Sequence, residues 1–155
     1  MYGQQKQKVY VGPGVGLDYG GVGGKIGFFF SKQLGLIGGV GYNFLSVGWN
    51  VGATYKISPE TPFSGNLLYF WGYNAVTRAE KSKYEMTSMG ITYGGNVEYK
   101  LGKKGNTLSL GVLTPIRSEK FKDNYEDMKG NVDVKLKNKL WPVSFSFGYN
   151  LLINK

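Results

Sequence analysis

From Trp141 to Ile153 the chain alternates between two kinds of side chain. Trp141, Val143, Phe145, Phe147, Tyr149, Leu151 and Ile153 share one parity, and Pro142, Ser144, Ser146, Gly148, Asn150 and then Leu152 the other. Successive residues of a strand point to opposite faces, so this stretch has one apolar face and one mostly small and polar face. Half-buried strands of soluble proteins alternate over about 4–8 residues, and this run is longer and rich in aromatics. A strand that crosses a bilayer needs about 9–11 residues. The stretch therefore predicts the closing strand of a small transmembrane β-barrel.

The same pattern recurs upstream. The first strand, about Lys8–Leu17, sets Val9, Val11, Pro13, Val15 and Leu17 against Tyr10, Gly12, Gly14, Gly16 and Asp18. A second sets Val22, Ile26, Phe28 and Phe30 against Gly23, Lys25, Gly27 and Phe29. The third sets Leu34, Leu36, Val40 and Tyr42 against Gly35, Ile37, Gly39 and Gly41, and the fourth sets Val47, Trp49, Val51 and Tyr55 against Gly48, Asn50, Gly52 and Lys56. Strand five, about Gly65–Thr77, is apolar on both faces near its start. Strand six carries Met89, Ile91, Tyr93, Val97 and Tyr99 opposite Thr92, Asn96, Glu98 and Lys100, and strand seven carries Leu108, Leu110 and Val112 opposite Thr107, Ser109 and Gly111. Between strands seven and eight, Val132, Val134 and Leu136 alternate with Asp133, Lys135 and Lys137, which predicts a strand-like hairpin over 117–139 and a bulge near Asn138–Leu140.

The expected fold is all-β: an eight-stranded antiparallel up-and-down transmembrane β-barrel over residues 8–155, after a disordered lead at 1–7. Connections after strands two, four and six are short, and those after five and seven are long and charged. Outer-membrane barrels keep short turns on the periplasmic side, so both termini are expected there. Residues 1–8 are polar, which leads to the expectation of a mature form whose leader has been removed.

Alternation alone does not say which face is inside. A lipocalin-like soluble barrel would turn the apolar face inward and bind a lipophile. Glycine decides the reading: it crowds the polar face, at positions such as 12, 14, 39, 41, 48, 52, 111 and 148, and it suits the narrow interior of an eight-stranded barrel. The apolar face then meets lipid, with Tyr42, Trp49, Tyr55, Trp71, Tyr73, Tyr99, Trp141 and Tyr149 as aromatic girdles. Lys8, Asp18, Lys25, Asn50, Lys56, Asn96, Glu98 and Lys100 face the lumen, where ionisable groups pair or meet water.

Composition narrows the chemistry. The chain has neither Cys nor His, which removes disulfides, nucleophile–His pairs and the commonest metal ligand. No catalytic residues, metal or cofactor are expected. The net charge of +9 is spread along the chain, and nucleic acid is not an expected partner. Gly20-Gly-Val-Gly-Gly24 has the look of a phosphate loop but precedes a strand and not a helix N-terminus, so it reads as a tight turn.

The phrases Gly39-Val-Gly-Tyr-Asn-Phe44, Gly52-Ala-Thr-Tyr-Lys56 and Phe145-Ser-Phe-Gly-Tyr-Asn150 resemble the strands of small bacterial outer-membrane β-barrel proteins of the OmpA/OmpX type. The resemblance implies residence in the outer membrane, lipid contact and a monomer. Such barrels usually end on an aromatic residue, and here the sequence runs Ile153-Asn-Lys155. Barrel enzymes similar to lipid A deacylases or omptin proteases use His, which is absent. The expected function is a structural or surface-interaction protein with a largely plugged lumen. Its outer-loop lysines, Lys120, Lys122, Lys129, Lys135, Lys137 and Lys139, are the candidate contacts for lipopolysaccharide or an envelope partner, against the plainer reading of a solvated loop whose charge Glu119, Asp123, Glu126, Asp127 and Asp133 dilute. The alternatives are a narrow channel for ions or small solutes and the lipocalin-like binder.

Overall fold

The computed structural model describes residues 7–80, 85–102, 104–132, 134–137 and 139–153. Eight antiparallel strands close a barrel in chain order: β1 (Lys8–Gly16), β2 (Gly21–Phe29), β3 (Leu34–Tyr42), β4 (Val47–Lys56), β5 (Phe63–Thr77), β6 (Met86–Leu101), β7 (Asn106–Pro115) and β8 (Ser144–Leu152). One helix, α1 (Glu119–Gly130), lies between β7 and β8. An even number of up-and-down strands puts the beginning of β1 and the end of β8 at one end of the barrel, with the 30–33, 57–62 and 102–105 connections. The opposite end, called the loop end below, carries 17–20, 43–46 and the described residues of the β5–β6 and β7–β8 connections. The expected lead at 1–7 lies outside the described residues apart from Gln7.

Register carries the alternation around the wall. Outward positions pair across strands as Leu36↔Ala53, Ala53↔Tyr69 and Tyr69↔Tyr93, and inward ones as Thr54↔Leu68, Asn66↔Asn96 and Ser109↔Gly148. Apolar side chains stand exposed on the outside: Val40 is 57% exposed, Val51 54% and Leu110 62%. The inside buries Lys25, Asn50, Thr54, Lys56, Asn66, Thr92, Asn96, Ser109 and Asn150. A small apolar cluster, Ile37, Leu68, Phe70 and Leu113, also points inward. The apolar face is thus the outer one, the reverse of what a lipocalin-like reading requires. The closing ladder between β1 and β8 pairs Tyr10, Val11, Gly14 and Val15 and skips Gly12 and Pro13, as a proline without an N–H requires.

Four expectations change. β1 stops at Gly16, and Leu17, expected on the outward face, turns inward onto the apolar cluster. β5 begins earlier, at Phe63, and shifts register between Tyr73 and Ala75, so that Asn74 and Ala75 are both buried. The last strand begins at Ser144 and not at Trp141. β1 ends at Gly16, with its last pair Val15↔Phe147, while the β7 pairing stops at Leu113↔Ser144 although β7 itself runs on to Pro115. Trp141 to Val143 lie outside the ladder, and Pro142, which falls opposite Pro115 in the β7 register, has no N–H to offer.

The fourth change is the largest. The 117–139 segment is not a strand hairpin; its first half is α1. Ser118 caps the helix by accepting from the Phe121 N–H at 3.3 Å, and Glu119 and Lys129 suit the two ends of its dipole. Phe121 and Met128 bury one stripe. Leu136 does find a strand-like partner, but in the other long loop: it bridges to Ala79, with Glu80 N–H donating to Lys135 O and Lys137 N–H to Arg78 O. Ala79, Met128 and Val134 make a second apolar cluster outside the barrel, flanked by Met86 and Leu136. Asp133 and Asn138, which carried part of the expected alternation and bulge, lie outside the described residues.

Candidate functional site: a plugged lumen and a loop-end lobe

The turn between β1 and β2 folds into the barrel. Gly16 (φ 141°) and Gly20 (φ 72°) let the backbone reverse on either side of a 3-10 turn, Leu17–Tyr19. Asp18 and Tyr19 are fully buried. The Tyr19 hydroxyl lies 3.1 Å from Ser109 Oγ and donates to Asn150 Oδ1 at 3.3 Å. Asn50 Nδ2 donates to Leu17 O at 2.6 Å, fastening the turn to the opposite wall. The glycine face is the socket for this plug. A Cβ on Gly148 would overlap the Tyr19 hydroxyl, one on Gly14 would come within 2.5 Å of the Tyr19 ring, and one on Gly41 within 2.6 Å of Tyr19 O. Gly39 and Gly48 give the same clearance to Asp18 O and Gly20 O.

Two ion pairs fill the rest of the interior. Lys25 Nζ donates to Asp18 Oδ2 at 2.6 Å, with both side chains buried, and also lies 4.2 Å from the centre of the Tyr19 ring. Lys56 Nζ donates to Glu98 Oε2 at 2.8 Å and sits over the Phe29 ring. Asn66 Nδ2 donates to Asn96 Oδ1 at 2.5 Å. Of the residues expected in the lumen, Asp18, Lys25, Asn50, Lys56, Asn96 and Glu98 are brought together there. Lys100 sits at the mouth and donates to Pro59 O at 2.7 Å. Lys8 is exposed at the rim, where β1 begins, and lines the same mouth with Lys56 and Lys100. At the same end the exposed Lys32–Glu60 pair (2.9 Å) holds the Glu60 carboxyl below its ordinary range through that hydrogen bond. Sequence reasoning missed Tyr19, Asn66 and Ser109 as members of the network.

The aromatics expected as girdles are less uniform. Tyr42, Trp49 and Trp71 stand exposed toward the loop end, with Trp49 and Trp71 edge to face at 5.4 Å. Tyr55 and Tyr99 stand exposed toward the other end, and Tyr149, half-buried there, accepts from Asn106 Nδ2 at 2.9 Å. Trp141 is exposed but lies outside any strand, and Tyr73 is half-buried beside the β5 bulge. Tyr69 and Tyr93, outward at mid-height, interrupt a clean two-band pattern.

Lys120, Lys122, Lys129, Lys135, Lys137 and Lys139 are all exposed on the loop-end lobe. Lys129 pairs with Glu126 at 3.3 Å. The lobe is an ordered surface of helix and bridged loops, with basic and acidic groups interspersed on α1.

These features define a closed eight-stranded antiparallel barrel whose interior is occupied by its own first turn. No protein-family model matches the chain, and no curated protein matches it.

Proposed function

We propose that this chain is a non-catalytic outer-membrane barrel, spanning the bilayer as a monomer with both termini on the periplasmic side and presenting its loop-end lobe at the cell surface. The observation that carries this reading is the inversion of the barrel: apolar side chains outside, charges and amides inside. Soluble monomers rarely expose a contiguous apolar patch beyond a few hundred Å², and here such residues line the outside of every strand. Closure leaves no strand edge, which suits a solvent that cannot hydrogen-bond. The lobe's lysines offer charge to lipopolysaccharide phosphates or an acidic envelope partner, each contributing about 1 kcal/mol near an anionic surface. No helix of the described residues is long and apolar enough to cross a membrane, so any crossing is made by the strands.

The plug argues for a closed barrel against the channel alternative. The cavities lined by Tyr10, Lys25 and Asn66 and by Lys8, Lys56 and Lys100 are about 20 Å³ each, which is room for roughly one water apiece. Planar-bilayer recording of the purified protein is expected to show no steady conductance. Stable channels whose ion selectivity changes on Glu98→Gln would support the channel reading instead.

A further inference from the structure

At the loop end the plug forms the floor of an open cup. Its cavity of about 260 Å³ is lined inside by Leu17, Tyr73 and Val76, with the exposed Val15, Phe44 and Phe145 at its outer rim. A second cavity of about 200 Å³ adjoins it, sharing Leu17, Ala75, Val76 and Ser144, and is lined further out by Arg117, Lys139 and Trp141.

Three observations set this place apart from an ordinary crevice. Phe44 is the one non-glycine residue with positive φ (69°) among the described residues. That conformation disfavours a bulky side chain, and it is held by Asn43 Oδ1, which accepts from the Leu45 and Ser46 N–H groups. The β5 bulge buries both Asn74 and Ala75 beside the cavities, and Asn74 Nδ2 donates to Ile116 O at 2.7 Å, fixing the backbone next to Arg117. Arg117 Nη2 donates to Trp141 O at 2.5 Å, while its Nε and the Nδ2 of Asn43 are buried donors with no hydrogen-bond partner among the described residues. No carboxylate of the described residues pairs with Arg117. Partial burial pulls the guanidinium below its ordinary value, so its charge lies poorly solvated.

We infer that the cup binds a single-chain amphiphile with a carboxylate head, a medium-chain fatty acid, with the alkyl chain between Leu17, Phe44, Tyr73 and Phe145 and the carboxylate on Arg117. Pockets that enclose drug-sized ligands run about 300–1,000 Å³, so a cavity of this size admits one alkyl chain and not a lipid with several. With Nη2 donating to Trp141 O and Nε buried, the outer end of the guanidinium, Nη1 with the remaining Nη2 N–H, is the part that meets a carboxylate, and Lys139 adds a second positive charge at the same rim.

The test uses the full chain in nanodiscs of zwitterionic lipid, titrated calorimetrically with decanoate and with decanol, against empty discs. Entry into the discs is scored separately, so a chain that enters them and binds nothing loses this inference alone. Decanoate is expected to saturate at one site per chain, and Arg117→Gln to weaken it at least tenfold. Decanol, with the same tail and no charge, is expected to bind weakly and equally to both forms. Ser144→Trp, which fills the shared wall, is expected to abolish both; if it prevents disc entry, the Arg117→Gln comparison decides alone. Equal decanoate affinity in the wild type and Arg117→Gln, or uptake no different from empty discs, would overturn the inference.

Discussion

Gly148→Ala is expected to destabilise the barrel by about 3–5 kcal/mol, a large effect for one methyl group. The new Cβ would occupy the position of the Tyr19 hydroxyl, and overpacking of a tight interior costs about 1–3 kcal/mol. Displacing the ring also breaks the contacts of that hydroxyl with Ser109 and Asn150, each hydrogen bond contributing about 1 kcal/mol. The distinguishing measurement is a double-mutant cycle by urea unfolding in detergent. With Tyr19→Ala in place the same methyl group has room, and its cost should fall below about 1 kcal/mol. Additive costs would mean that Tyr19 does not occupy the socket formed by Gly14 and Gly148.

Asp18→Asn should be comparably damaging for an electrostatic reason. Lys25 is 7% exposed, and Asp18 is its only ion-pair partner among the described residues. Removing one member of a buried pair leaves an uncompensated charge, at about 3–5 kcal/mol. The double change Asp18→Asn with Lys25→Met should recover most of that loss, since the charge departs with its partner. By contrast Glu60→Gln, which breaks an exposed pair screened by solvent, should leave the unfolding midpoint unchanged. An Asp18→Asn protein as stable as the wild type would show that Lys25 finds water or another acceptor inside.

Strand count and order were legible in the sequence because each rests on local alternation, and so was facing outside strand five, where Leu68 and Phe70 turn inward and the register shifts between Tyr73 and Ala75. The glycines also pointed to a crowded interior, but what crowds it could not be read locally. Tyr19 meets Ser109 and Asn150, far along the chain, and no periodicity in Leu17-Asp-Tyr19 signals a turn folded into the barrel. The helix has a signature of its own: Phe121, Tyr125 and Met128 recur at helical spacing behind Ser118, a good N-cap. The alternation of Val132, Val134 and Leu136 drew the reading toward a strand, and Leu136 does pair, though with Ala79. The alternation at Trp141 and Val143 persists beyond the strand itself, because β1 has ended there and Pro142 and Pro115, which face each other next in the β7 register, have no N–H to donate. The loop-end cup needs the β5 bulge and three separate connections to meet, which no single stretch of sequence announces.

The proposal of a membrane-spanning barrel is tested most directly by refolding the urea-unfolded chain with and without lipid vesicles. Folding is followed by gel mobility before and after boiling, and by the depth at which brominated lipids quench Trp49 and Trp71. The expected result is a folded, heat-sensitive band only when lipid or detergent is present, with both tryptophans quenched from within the bilayer. A monomer that folds and stays soluble in plain buffer, its tryptophans untouched by added lipid, would contradict it.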